Sequence, residues 1–192
     1  MTTVVLASAS PRRRALLEAA GLQVEVRAAE LAEDSWPGED PVSRARRLAE
    51  AKARAVAARV PPDQAVLGAD TVVALDGVCR GKPVDAADAE RTLRALSGRW
   101  HSVTTGYCVV LGQEIRRGHV TTRVSFRPLT EGVIRRYVAS AEPLDKAGAY
   151  GIQGLGSALV DRVDGSWSNV VGLPLAQVLA LLADLGVAPG EE

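Results

Sequence analysis

The first residues of the chain predict a strand, a tight turn and a helix in immediate succession, and this order constrains the fold more than any other feature. Val4, Val5 and Leu6 form a short apolar run typical of a buried strand. Small residues follow, and Pro11 is well placed to begin a helix that ends before Gly21. The free backbone N–H groups of the helix start then lie beyond the strand end, an arrangement that suits a bound phosphate.

Three consecutive arginines, Arg12 to Arg14, fall in the first turn of this predicted helix. One interpretation is an amphipathic helix whose basic first turn is solvated. The helix dipole, however, favours acidic residues at that end, so the arginines cost stability unless an anion offsets them. Arg12 and Arg13 carry fork-shaped donors and are the candidate anion ligands.

Strand and helix patterns alternate along the chain, which indicates an α/β fold. Strand patterns cover residues 22–27, 65–75, 100–111, 115–126 and 157–163, and the third and fourth predict an antiparallel hairpin. Helices are predicted over residues 40–59, 85–96, 130–140 and 174–186, the last followed by a frayed acidic tail. With no internal repeat or linker, residues 1–192 are expected to form one domain.

Composition narrows the class of protein. Hydrophobic residues make up 47% and charged residues 24%, which is ordinary for a globular domain. Basic and acidic residues both number 23, which argues against a broad nucleic-acid surface but leaves room for a local basic pocket. Cys79 and Cys108 are too few for a disulfide framework or a zinc site. No apolar stretch has transmembrane length, so no membrane partner is expected and the cytoplasm is the expected compartment.

Asp70 and Lys52 are charged residues in otherwise apolar settings. Asp70 is the only charge in residues 65–73, and it is costly there unless it meets a cation, a metal or hydrogen-bond donors. The alternative, a turn at a strand end, is weakened by the apolar continuation through Val73. Lys52 falls within the apolar stripe of its helix, so its side chain either snorkels to the edge or reaches into a cleft that holds an anion.

Four further residues are ambiguous when taken singly. Glu33 lies in a polar loop, but together with Asp70 it could supply two hard oxygen ligands to a magnesium- or manganese-triphosphate complex. Lys82 alone predicts only a solvated turn. Gln153 lies in a glycine-rich stretch and offers a donor and an acceptor for a base edge, although that stretch could equally be a plain connection. His101 is expected to be structural, and neither a Gly-x-Ser-x-Gly elbow nor a Walker phosphate loop is present.

Taken together, these segments resemble the Maf family of nucleoside triphosphate pyrophosphatases. The resemblance rests on motifs that span nearly the whole chain in family order: Leu6-Ala7-Ser8, Ser10-Pro11-Arg12-Arg13, Glu33-Asp34-Ser35, Lys52, Gly68-Ala69-Asp70-Thr71, Gly81-Lys82-Pro83, Leu96-Ser97-Gly98-Arg99 with His101, Glu142 to Gly154, and Val171-Gly172-Leu173-Pro174. It implies a two-lobed α/β fold around an elongated, bent mixed sheet, with the active-site cleft between the lobes as in inosine triphosphate pyrophosphatases. It also implies a homodimer.

The resemblance further implies roles for particular residues. The form of residues 145–153 is similar to that of the branch acting on dTTP and UTP, in which Arg12, Thr71 and Gln153 are linked to substrate choice. Asp70 would be the proton acceptor and, with Glu33, would hold a divalent Mg²⁺ or Mn²⁺. The phosphates would be held by Ser8, Arg12, Arg13, Lys52 and Lys82. Departures from the family pattern are small: Arg14 extends the arginine pair, and Ser166-Trp167-Ser168 stands where aromatic pairs are frequent.

The expected function is hydrolysis of dTTP and UTP, and of related modified pyrimidine nucleotides, to the monophosphate and pyrophosphate. The resemblance also links such proteins to septum formation and to the cleansing of nucleotide pools. Three alternatives stay open at this point: a non-catalytic nucleotide-binding regulator of septum formation, the same chemistry on another non-canonical nucleotide, and a nucleotidyltransferase.

Overall fold

The computed structural model describes residues 3–34 and 36–187. Ser35 and the predicted acidic tail lie outside these residues. The described strands are β1 (Thr3–Leu6), β2 (Gln23–Val26), β3 (Ala65–Leu75), β4 (Val78–Arg80), β5 (Trp100–Leu111), β6 (Glu114–Phe126) and β7 (Val160–Asp164). They form one mixed sheet in the order β2-β1-β3-β5-β6-β7, with β4 pairing β3. β1 runs parallel to β2 and β3, and the other pairs are antiparallel.

Helices flank this sheet, which confirms the predicted α/β class. They are α1 (Pro11–Ala19), α2 (Pro41–Ala57), α3 (Ala86–Leu96), α4 (Glu131–Ala139), α5 (Trp167–Val171) and α6 (Leu175–Asp184). Four of these described helices begin at a side-chain cap, because Asp40, Asp85, Thr130 and Ser166 each accept a hydrogen bond from the first turn. The predicted hairpin is confirmed as β5–β6. No helix in the described part of the chain is long and apolar enough to cross a membrane.

The region after α4 differs from the expectation. Three short 3₁₀ segments, Glu142–Asp145, Ala147–Ala149 and Leu155–Leu159, occupy it. The strand predicted from residue 157 therefore begins only at Val160. Its apolar residues are also compatible with a 3₁₀ turn, which a period-two pattern cannot exclude.

Close packing of α2 on β3 and β5 places Lys52 beside the sheet. A Cβ atom added to Gly68 in β3 would lie 2.3 Å from the Ala49 carbonyl oxygen, and one added to Gly106 in β5 would lie 2.3 Å from that of Ala45. Only glycine allows the helix backbone to approach the strands this closely. As a result the buried stripe of α2, which includes Lys52, faces the middle of β3.

Candidate active site

A cleft of about 1000 Å³ brings together all of the side chains predicted to form the site. They are contributed by the turn after β1, the start of α1, the loop before α2, α2 itself, β3, the loop after β4 and the 3₁₀ region. The residues are Ser8, Arg12, Arg13, Glu33, Lys52, Asp70, Thr71, Lys82 and Gln153. The structure therefore establishes their proximity, while their individual roles stay predictions.

Glu33, Lys52 and Asp70 form the charged centre of this cleft. Lys52 Nζ lies 2.6 Å from Asp70 Oδ1 and 2.6 Å from Glu33 Oε1. The side chains of Lys52 and Asp70 are each 10% exposed, whereas that of Glu33 is 51% exposed. One ammonium therefore faces two carboxylates, so these three groups alone carry one net negative charge, which Arg13 and Lys82 also face. Lys52 therefore reaches into a cleft, as one of its two interpretations predicts, while its contact with a bound anion stays a prediction.

The pKa of Glu33 reflects this setting. Partial burial acts to raise the pKa of Glu33, but the hydrogen bond and charge of Lys52, aided by the charges of Lys82 and Arg13, outweigh it. The pKa of Glu33 is therefore lowered, and the carboxylate is ionised at neutral pH.

The backbone explains how Asp70 reaches this position. Asp70 lies within β3 rather than at its end, paired with Gly106 of β5, and is 7% exposed. Lys52 follows Ala49, the α2 residue packed against Gly68, by three residues and so lies on the same helix face. The approach of helix to strand thus places ammonium and carboxylate in contact.

Arg13 is buried and ties three segments together. Its Nε donates to the Gly172 carbonyl oxygen at 2.8 Å, Nη1 to Ser8 Oγ at 2.9 Å and Nη2 to Thr71 Oγ1 at 3.0 Å. Burial lowers the pKa of Arg13 and the charge of Arg12 adds to this, while Asp70 and Glu33 act in the opposite direction. Because three of its five N–H groups are bound to protein, Arg13 is held rigidly in the lining of the cleft.

The other basic residues are less constrained. Arg12 Nη1 lies 3.9 Å from Asp145 Oδ2. Arg14 pairs with Glu18 on the helix surface at 2.7 Å, away from the cleft lining. Lys82 is exposed and forms no hydrogen bond or ion pair with any described residue. Arg12 and Arg14 therefore face carboxylates of the protein, and Lys82 adds a cation without such a partner to the cleft.

Several supporting residues were missed at the sequence level. Thr105 Oγ1 lies 2.9 Å from Thr71 Oγ1 and donates to the Asn169 carbonyl oxygen at 3.1 Å. Asn169 is fully buried, and its Nδ2 donates to Val103 O and Thr122 Oγ1. These contacts hold the Thr71 hydroxyl beside Arg13. No local pattern marks Thr105 or Asn169, because their importance arises only from the pairing of distant strands.

His101 lies behind the glycine-rich segment. It is 4% exposed, its Nε2 is 2.9 Å from the Tyr150 hydroxyl, and its ring makes edge contacts with Phe126 and Tyr150. Burial lowers the pKa of His101 to about 4, so the ring is neutral at neutral pH. This setting fits the structural role expected for it.

The residues present fit a divalent cation of the magnesium type. In residues 3–34 and 36–187 no group of three or more His, Cys, Asp or Glu side chains is arranged to hold a metal. Mg²⁺, however, is commonly bound through one or two carboxylates, with water and substrate phosphates completing its shell. Asp70 and Glu33 each use one oxygen for Lys52, and their combined charge exceeds that of the ammonium. These two carboxylates are the candidate cation ligands.

The fold and the cleft agree with the family to which the chain belongs. Residues 3–185 match the family described as Maf-like protein, and the chain is a member of that family. Two similar curated relatives are both named dTTP/UTP pyrophosphatase. The protein of Geobacter sp. strain M21 is 49% identical over 189 residues, covering 96% of each chain. That of Anaeromyxobacter dehalogenans is 53% identical over 188 residues, covering 95% of this chain and 94% of the relative.

Among solved structures, the chain is similar to the nucleoside-triphosphatase or dITP/XTP pyrophosphatase from Mycobacterium abscessus. The two are 18% identical, with a TM-score of 0.47 and coverage of 96% of this chain and 98% of that one.

Proposed function

We propose that the protein hydrolyses dTTP and UTP to the nucleoside monophosphate and pyrophosphate. The single observation that carries this proposal is the cleft in which Asp70 lies among cationic side chains from distant segments. The names of relatives about half identical over nearly the whole chain support the choice of substrate. Modified pyrimidine nucleotides are included in the proposal as further substrates.

In the proposed reaction, water attacks the α-phosphorus and pyrophosphate leaves. Asp70 would orient the water and accept its proton, a contribution of about 10²–10⁴-fold to the rate. Arg12, Arg13 and Lys82 would bind the phosphates, with Ser8 donating its hydroxyl proton. Lys52 holds Asp70 on one side, which limits the carboxylate to a narrow range of orientations.

We infer that Mg²⁺ or Mn²⁺ binds with the nucleotide at Asp70 and Glu33. The net negative charge of the two carboxylates and Lys52 supports this assignment. When bound, the cation would supply neutralisation of the charge that develops on the leaving group.

Selection of the base is assigned to Gln153, with Arg12 and Thr71. Gln153 is exposed in the cleft lining and presents an amide donor and acceptor. Thr71 acts indirectly in this proposal, since its hydroxyl is already engaged by Arg13 and Thr105.

The domain organisation, the compartment and the oligomeric state are also part of the proposal. We expect a single domain of two lobes that acts in the cytoplasm on the free nucleotide pool. A homodimer is expected by analogy with the family, and light scattering of the purified protein tests it.

Pyrophosphate release from a panel of nucleoside triphosphates with Mg²⁺ or Mn²⁺, with identification of the product, tests the function. Monophosphate and pyrophosphate are expected, most rapidly from dTTP and UTP. Asp70→Asn should retain nucleotide binding and lower turnover by about 10²–10⁴-fold. The matched control is Asp76→Asn in the β3–β4 turn, where φ is 52° and asparagine is tolerated, and its rate should be unchanged.

Two results would contradict the proposal. Near-normal turnover by Asp70→Asn would remove its role as base. Nucleotide binding without release of any product by the wild-type protein would favour the non-catalytic regulator.

A further inference from the structure

The side chain assigned to base selection is not itself held in place by hydrogen bonds. Gln153 is exposed, and its amide bonds to no side chain or backbone group in the described part of the chain. The position of Gln153 therefore depends on the backbone that carries it, residues 151–156. A group that reads a ligand needs such support, since a loose side chain loses specificity.

Glu142 accepts hydrogen bonds from the backbone of this segment with both carboxylate oxygens. Oε1 accepts hydrogen bonds from the Gly156 N–H at 3.0 Å and from the Tyr137 hydroxyl at 2.9 Å. Oε2 accepts a bond from the Leu155 N–H at 2.9 Å. The Tyr137 hydroxyl in turn accepts one from the Gly151 N–H at 3.0 Å. One carboxylate and one phenol thus fix both ends of the segment around Gln153.

Glycines in the segment let it lie directly on these side chains. A Cβ atom added to Gly154 would be 2.4 Å from Glu142 Oε2, and one added to Gly151 would be 2.8 Å from Lys146 Cε. Lys146 Nζ in turn donates to the Glu142 carbonyl oxygen at 2.7 Å. The glycine spacing is therefore explained by contact with Glu142 and Lys146, in addition to any close approach of a ligand.

The charge state of Glu142 fits this supporting role. Burial acts to raise the pKa of Glu142, but the N–H groups of Gly156 and Leu155, with Tyr137 and Lys146, outweigh it. The pKa of Glu142 is therefore lowered, and an ionised acceptor faces the backbone donors at neutral pH. Hydrogen bonds to an ionised acceptor are about twice as strong as neutral ones.

We propose that Glu142 is a positioning residue for base selection, which fixes Gln153 against the base by holding residues 151–156. The inference relies on the proposed function for the class of ligand, a pyrimidine nucleoside triphosphate. It does not depend on turnover, because a protein that only bound nucleotides would need the same support.

Equilibrium binding of the non-cleavable α,β-imido analogues of dTTP and dGTP tests the inference. The proteins compared are the wild type, Glu142→Gln, Gln153→Ala and the double variant. Each single substitution should lower the ratio of dTTP to dGTP affinity about tenfold, the upper end of what one neutral hydrogen bond contributes. The double variant should lower it no further, since Glu142 acts through Gln153. Affinity for inorganic tripolyphosphate should stay within about twofold of the wild type.

Two more variants keep the test decisive. Glu131→Gln, at the exposed start of α4 where Glu131 pairs with Arg94, should leave the ratio unchanged. Tyr137→Phe removes the hydrogen bonds of the hydroxyl to Gly151 and to Glu142 but leaves the Glu142 carboxylate bonded to Leu155 and Gly156, so it should lower the ratio less than Glu142→Gln does. It substitutes for Glu142→Gln if that variant does not fold.

Three results would overturn the inference: an unchanged ratio in Glu142→Gln, additive effects in the double variant, or an equal loss for both nucleotides and tripolyphosphate. Wild-type protein that binds both analogues equally would overturn it as well. Discrimination in binding without any pyrophosphate release would instead overturn the proposed function and leave the role of Glu142 standing.

Discussion

Removal of the Lys52 ammonium is expected to destabilise the protein strongly. In Lys52→Met, the Asp70 carboxylate stays 7% exposed but loses its hydrogen-bonded cation. Removing one partner of a buried ion pair costs about 3–5 kcal/mol. The lower end applies here, because the charge of Arg13 still interacts with Asp70 and because the half-exposed Glu33 can be solvated.

The expected loss in the free energy of unfolding is therefore about 3 kcal/mol. At about 2–4 °C per kcal/mol for a chain of this size, the melting midpoint should fall by about 6–12 °C. Denaturant unfolding followed by circular dichroism measures the free energy, and calorimetry measures the midpoint. Both are independent of catalysis.

A double variant separates the ion pair from the packing of the lysine chain. Asp70→Asn combined with Lys52→Met removes both charges, so its stability should return to within about 1 kcal/mol of the wild type. The control Arg54→Met, on the exposed face of α2, should stay within about 0.5 kcal/mol. A cost below 1 kcal/mol for Lys52→Met, or a double variant as unstable as the sum of the singles, would refute the electrostatic account.

Three further predictions concern the fold and the metal. Burial lowers the pKa of His101 from 6.5 to about 4, so between these pH values only the unfolded chain takes up this proton. The free energy of unfolding should therefore fall by up to about 3 kcal/mol as the pH drops from 6.5 to 4. His101→Gln should lack that part of the pH dependence, and superimposable unfolding profiles would contradict it. Gly68→Ala should cost at least about 2 kcal/mol and reduce turnover by moving Lys52. By contrast, Gly132→Ala on α4, whose Cβ atom would lie 3.9 Å from Thr130 Oγ1, should be neutral or slightly stabilising. Chelation should stop turnover reversibly, and Glu33→Gln should raise the Mg²⁺ concentration at half-maximal rate about tenfold; an unchanged Mg²⁺ titration would exclude Glu33 as a ligand.

Local chemistry accounts for the parts of the fold that could be predicted. The helix starts at Asp40, Asp85 and Thr130 could be predicted because a capping side chain bonds to the backbone of its own turn. Asp70 could be predicted as a site residue because a charge in an apolar strand is costly unless it meets a cation or hydrogen-bond donors. These signals require no knowledge of how distant segments pair.

The features of the fold and the site that could not be predicted depend on strand register and close packing. The contact of Lys52 with Asp70 needs α2 seated on Gly68, which a single sequence does not specify. The Thr71–Thr105 pair needs the β3–β5 register. β4 was missed because three residues are too short for a period-two pattern, and the supporting carboxylate of Glu142 was missed because its partners are backbone N–H groups.

The bond from Arg13 to the Gly172 carbonyl joins residues separated by 159 positions. During synthesis, the helix that begins at Pro11 emerges long before the turn that fixes this guanidinium. A nascent or truncated chain ending before Gly172 therefore has the first arginines but lacks the acceptor that orients one of them. We therefore expect the proposed nucleotide-binding cleft to be completed late in translation, as contacts of high sequence separation close.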